Sequence, residues 1–210
     1  MEFSIKGGDL SKLKTDCIVV GVFDSKKLSK PALVLDKAAK GQLAAAVASG
    51  DISGKTGSTL LLQSVPGIIA KRVLLVGCGA EKEYGNKVFA SALSSAFKAL
   101  RATAATDVTI SLDAGYGVAS LAWKAEQAAC LAIEGAYRFT QLKSKSDDKN
   151  IGKALTIHVN GKFNEKSVKV ALFSLTQLVT NKTVKASVER VTNFKNLFFI
   201  LIHLFKNSNT

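Results

Sequence analysis

Two short apolar runs constrain the fold of this chain more than anything else in it: 17–23 (CIVVGVF), and the residues that follow Arg72 in 72–78 (RVLLVGC). Each is too short for an ordinary helix and rich in β-branched residues, so each reads as a strand. Neither alternates apolar with polar residues. A strand without alternation is buried on both faces, which is the condition of a central strand in a parallel sheet covered by helices. The segments 58–63 (STLLLQ), 107–112 (DVTISL) and 154–159 (ALTIHV) read as further strands, and Pro66-Gly67 marks a turn before the run at 72–78.

Stretches of helical period separate these strands. Residues 34–48 (VLDKAAKGQLAAAVA) form an alanine-rich helix with Leu35, Ala38, Ala39, Leu43 and Val47 on one side and Gly50 as its C-terminal cap. Residues 86–103 place Val88, Phe89, Leu93, Phe97 and Leu100 on a single helical face. A longer helix spans about 117–139, with Leu121, Ala125, Ala128, Leu131 and Ala132 inward, and a final one falls within 165–180. Between them, 143–150 (KSKSDDKN) is a polar loop. Alternation of this kind predicts an α/β three-layer sandwich, a mixed, mainly parallel sheet with helices on both faces.

Composition narrows the class. With 210 residues, 47% hydrophobic, and two prolines, the chain has material for one good-sized core plus an appendage. Residues 1–9 lack the apolar stretch of a signal peptide. The longest apolar run, 197–205, is half of what a membrane span requires and contains His203, so a cytoplasmic protein with no membrane partner is expected. Cys17, Cys78 and Cys130 form no C-x-x-C pair and are expected to be buried, reduced and inert. The net charge of +13 divides unevenly, +6 over residues 1–150 and +7 over residues 151–210. This charge reads as a soluble basic face or a face shaped to meet an acidic partner domain, with nucleic acid as the alternative.

No catalytic, cofactor-binding or metal-binding residue emerges from the residues themselves. Gly77-Cys78-Gly79 follows a strand, but the third glycine of a dinucleotide fingerprint is replaced by Lys82, and Glu81 and Glu83 sit where a phosphate would. A tight turn accounts for the glycines better. His158 and His203 have no ligand partners at metal-binding spacing. Glu126 and Glu134 share a helix face, where solvation or ion pairing is the ordinary role of a carboxylate.

The order of words along the chain says more. The stretch 35–79 (LDKAAKGQLAAAVASGDISGKTGSTLLLQSVPGIIAKRVLLVGCG), followed by Glu134-Gly135-Ala136-Tyr137-Arg138-Phe139 and Lys143-Ser144, resembles the amino-terminal domain of the leucyl (cytosol) aminopeptidase family across residues 1–160. The resemblance implies a macro-domain-like fold for 1–160, with 161–210 a connecting helix and a divergent apolar tail. It implies a parent metallo-aminopeptidase, a homohexamer that removes amino-terminal residues from peptides. Two zinc or manganese ions in a separate catalytic domain would generate the attacking hydroxide. Their ligands in the family centre on an Asn-Thr-Asp-Ala-Glu-Gly-Arg motif that this sequence does not contain, so no position inherits a metal or catalytic role. The family junction Asp-Leu-x-Asn-x-Pro is also absent; Glu189-Arg190-Val191-Thr192-Asn193-Phe194 stands there and leads into the apolar tail, as in a truncated or frame-shifted product or a divergent gene. The expectation is a non-catalytic domain with a structural and oligomerisation role, inactive alone. Nucleic-acid binding through the basic surface, or binding of an ADP-ribose-like ligand through the macro-like fold, is the alternative.

Overall fold

The computed structural model describes residues 8–112, the backbone of 2–6 and 156–160, and the helical positions Trp123, Lys124, Gln127, Ala128, Cys130 and Leu131. The elements are β1 (Glu2–Lys6), β2 (Cys17–Val22), α1 (Lys30–Ala38), α2 (Gln42–Ala48), β3 (Thr59–Gln63), β4 (Arg72–Gly77), α3 (Asn86–Arg101), β5 (Asp107–Ser111) and β6 (Thr156–Asn160). All lie within the unit Met1–Phe173.

One six-stranded sheet runs in the order β1-β6-β5-β2-β4-β3. Every pair is parallel except the β3–β4 hairpin, which is antiparallel. The mixed, mainly parallel sheet is thus present as expected. β2 sits inside it, paired with β4 through Ile18↔Val73 and Val20↔Leu75 and with β5 through Cys17↔Val108 and Val19↔Ile110. All six residues of β2 are buried, which is why its sequence carries no polar alternation.

Helices cover both faces. Ile18, Val20, Val22, Val73 and Leu75 pack with Ala32, Leu35, Leu43 and Val47 of α1 and α2, and Leu60 and Leu62 of β3 close the edge of that cluster. On the other face α3 buries Phe89, Ala92, Leu93, Ala96, Phe97 and Leu100, the stripe expected of an amphipathic helix. Phe89 meets Trp123 at a centroid distance of 5.8 Å, and Ala128 is fully buried.

The single helix expected over 34–48 is two. α1 starts earlier, at Lys30, with the Ser29 hydroxyl accepting from the Ala32 amide and Pro31 in its first turn. It ends at Ala38, where Lys40 and Gly41 take φ of 52° and 85° and turn the chain. The Asp36 carboxylate then accepts from the Ala44 amide at 2.9 Å, so a side chain of α1 satisfies a free donor in the first turn of α2. β1 is a strand that the charged ends of EFSIK concealed. The helices expected over 117–139 and 165–180, the polar loop 143–150 and the apolar tail lie wholly or largely outside the described residues.

Candidate functional site

Open α/β sheets bind ligands outside the carboxyl ends of their strands, where the order of connection reverses. Here the chain leaves β2 towards β4 on one side and returns to β5 on the other, so the reversal lies between β2 and β5. Three loops meet over it. After β2 the backbone doubles back, the Phe23 amide donating to the Lys27 carbonyl at 2.8 Å and the Ser29 amide to the Gly21 carbonyl at 3.0 Å. The loop through Gly54 lies against this turn; its carbonyl accepts from the Gly79 amide at 2.9 Å. Gly54 has φ +71°, and a Cβ there would stand 2.1 Å from the Phe23 carbonyl oxygen, so only glycine fits.

The loop after β4 supplies the third wall. Gly79 turns at φ +68°, Glu81–Glu83 form a single 3-10 turn, and α3 begins only at Asn86. The helix N-terminus is therefore remote from the Gly77-Cys78-Gly79 turn, and the glycines serve the turn. Tyr84 leaves this loop for the interior. Its ring meets Phe23 edge-on at 5.9 Å, and its hydroxyl donates to the Leu112 carbonyl at 2.6 Å just beyond β5. Tyr84 is 3% exposed, as is Phe23. Both rings are thus packed beside the carboxyl ends of β2 and β5.

Beside Phe23 is an open depression of about 430 Å³, whose lining includes Lys26, Lys27, Lys30, Asp36 and Glu81. Glu81 stands 3.7 Å from Lys27. Nucleophile, base and oxyanion donor do not converge there.

The thiols are quiet. Burial pushes both Cys17 and Cys78 up to about 12, the opposite of what a nucleophilic thiolate requires. Cys130, expected to be buried, is only half-buried. His158 lies in β6, in register with Thr109 of β5. Glu126, Glu134 and His203 lie outside the described residues. Among the described residues no three of His, Cys, Asp and Glu come together as a metal site would require.

At the opposite end of the sheet one side chain was not anticipated from sequence. Asp16, just ahead of β2, accepts from Lys71 Nζ at 2.7 Å, from the Thr106 amide and hydroxyl at 3.0 and 2.9 Å, and from the Asp107 amide at 3.3 Å. It ties together the starts of β2, β4 and β5. Its role is structural.

This order of strands, with helices on both faces, defines an α/β sandwich of macro-domain type. The macrodomain of Mycobacterium tuberculosis DarG shares it at a TM-score of 0.54 and 14% identity, over 77% of this chain and 98% of that one. A mutant of tomato leucine aminopeptidase superposes at a TM-score of 0.66 and 18% identity, over 85% of this chain and 36% of that one. The sequence model of the cytosol aminopeptidase family's N-terminal domain matches residues 19–146. A probable cytosol aminopeptidase of Dechloromonas aromatica is 47% identical over 149 residues, 70% of this chain and 30% of that protein. The chain belongs to the cytosol aminopeptidase family, through that family's amino-terminal domain, and spans about 30% of the length of the relatives it matches. Among the described residues no helix is long and apolar enough to cross a membrane.

Proposed function

We propose that this chain acts as the non-catalytic amino-terminal domain of a cytosol aminopeptidase, over residues 1–160, with a structural and oligomerising role in the parent enzyme. The observation that carries the reading is the match of residues 19–146 to the amino-terminal domain of the cytosol aminopeptidase family. Beside the carboxyl ends of β2 and β5, Phe23 and Tyr84 pack edge-on and buried. Packed aromatic side chains there favour a domain that contributes surfaces rather than chemistry. The parent activity is metal-dependent removal of amino-terminal residues from peptides in the cytoplasm. Its two zinc or manganese ions and its Asn-Thr-Asp-Ala-Glu-Gly-Arg ligands belong to a catalytic domain, and its assembly is a homohexamer. Binding of an ADP-ribose-like ligand rests on the likeness of fold alone. Nucleic-acid binding rests chiefly on the charge of residues 151–210, most of which lie outside the described residues.

The test is hydrolysis of leucine amide by the purified chain, with and without added zinc or manganese. No turnover above buffer is expected. Metal-dependent turnover that follows the concentration of the chain through purification would overturn the reading.

A further inference from the structure

The two edges of the sheet differ in chemistry. β1, at one edge, begins at Glu2 and ends at Lys6, and charges at a strand's ends discourage another strand from pairing there. β3, at the other edge, reads Thr59-Leu60-Leu61-Leu62-Gln63 and carries no charge and no proline. Uncharged sequence extends around it from Thr56 to Ala70, in a chain of net charge +13. Thr59 and Gln63 are exposed, and Leu60, Leu61 and Leu62 are half-buried. Among the described residues no strand lies beyond it.

The hairpin hydrogen bonds show which backbone groups are left over. The Gly77 amide donates to the Ser58 carbonyl and the Ser64 amide to the Lys71 carbonyl, so even-numbered residues of β3 face β4. Thr59, Leu61 and Gln63 therefore turn their N–H and C=O groups towards the free edge, by the alternation of an antiparallel ladder. Their side chains share the face away from Leu60 and Leu62, which pack on the core.

We propose that β3 is the docking edge for a second copy of this chain, the two strands pairing antiparallel about a two-fold axis through Leu61. The inference deepens the oligomerising role proposed above and rests on it. The strand complements itself in that register. Leu61 lies opposite its own counterpart, and Thr59 lies opposite Gln63, so apolar meets apolar and polar meets polar. Each outward N–H meets an outward C=O of the other copy. A strongly acidic or basic partner would find no countercharge along this edge, whereas a second neutral strand meets no repulsion. The isologous geometry closes after two copies, so it yields a dimer unit and not an open chain of molecules.

Sedimentation velocity on the full chain and two double variants tests this. Thr59→Lys with Gln63→Lys places like charges opposite each other at both ends of the paired strands. It is expected to weaken association by about tenfold or more. Thr59→Lys with Gln63→Glu changes the same exposed positions but faces opposite charges across the axis, so association is retained and becomes sensitive to salt. Circular dichroism establishes that both variants fold. A wild-type chain that stays monomeric would remove the oligomeric role itself. A wild-type dimer that both variants leave intact, or that both disrupt equally, would keep that role and overturn the pairing of β3.

Discussion

Removing the carboxylate of Asp16 separates two contributions that meet on one side chain. Lys71, at 2.7 Å, is foremost among the groups that hold the Asp16 carboxyl well below the usual carboxylate range, followed by the Thr106 amide. Yet the Lys71 side chain is 72% exposed, and an exposed ion pair contributes at most about 1 kcal/mol. The amides of Thr106 and Asp107, at the start of β5, both donate to this carboxylate. Hydrogen bonds from such groups to a charged acceptor are worth about 1.5–3 kcal/mol each, reduced here because Thr106 is itself exposed. Asp16→Ala is therefore expected to cost about 2–3 kcal/mol and lower Tm by roughly 5–10 °C, while Lys71→Met costs under about 1 kcal/mol. The assay is urea unfolding at neutral pH, repeated towards pH 3. Because the folded carboxyl binds its proton less readily than the unfolded one, the stabilisation is present above about pH 4 and lost as pH falls. The gap between wild type and Asp16→Asn should accordingly narrow on acidification. Equal losses in Asp16→Ala and Lys71→Met, or a gap that ignores pH, would refute the reasoning.

Gly54→Ala combines a left-handed φ with a Cβ 2.1 Å from a carbonyl oxygen, and urea unfolding should show a loss above about 3 kcal/mol. Gly50→Ala, with φ +90° but open space around its Cβ, should cost only about 1–2 kcal/mol, so equal losses would show that contact with Phe23 is irrelevant. The Thr109 hydroxyl is fully buried with no partner among the described residues, so Thr109→Val should raise Tm by a few degrees in a thermal melt. A lowered Tm would mean that the hydroxyl is satisfied.

The parts of the fold that announce themselves in sequence are those where burial leaves one kind of residue. β2, and β4 beyond Arg72, are apolar runs because both their faces are covered, and α3 shows its stripe because only one of its faces is. β1 is hidden because an edge strand tolerates Glu2 and Lys6. The break between α1 and α2 is hidden because Lys40-Gly41 falls within alanine-rich helix-forming sequence; the left-handed turn costs little at glycine and is decided by packing. The packing of Tyr84 beside the carboxyl ends of the strands is not legible at all. Tyr84 is one aromatic residue in a polar loop, and its partners, Phe23 and Leu112, are brought to it by the sheet and not by spacing. The same holds for Asp16, whose partners lie 55 and about 90 residues away.

The parallel pairing of β1 with β6 has a consequence for synthesis. Glu2 takes Thr156 as its register partner, so the first of this sheet's strands to be made finds its neighbour only after about 150 further residues have followed. At the usual pace of translation that interval is roughly 8–30 s, long compared with the time a helix or hairpin takes to form. Strands β2 to β5 can meet during that interval, since all of them precede Leu112. The amino-terminal strand thus waits beside a nascent sheet whose receiving edge does not yet exist, and the earliest-made piece of the domain is among the last to be placed.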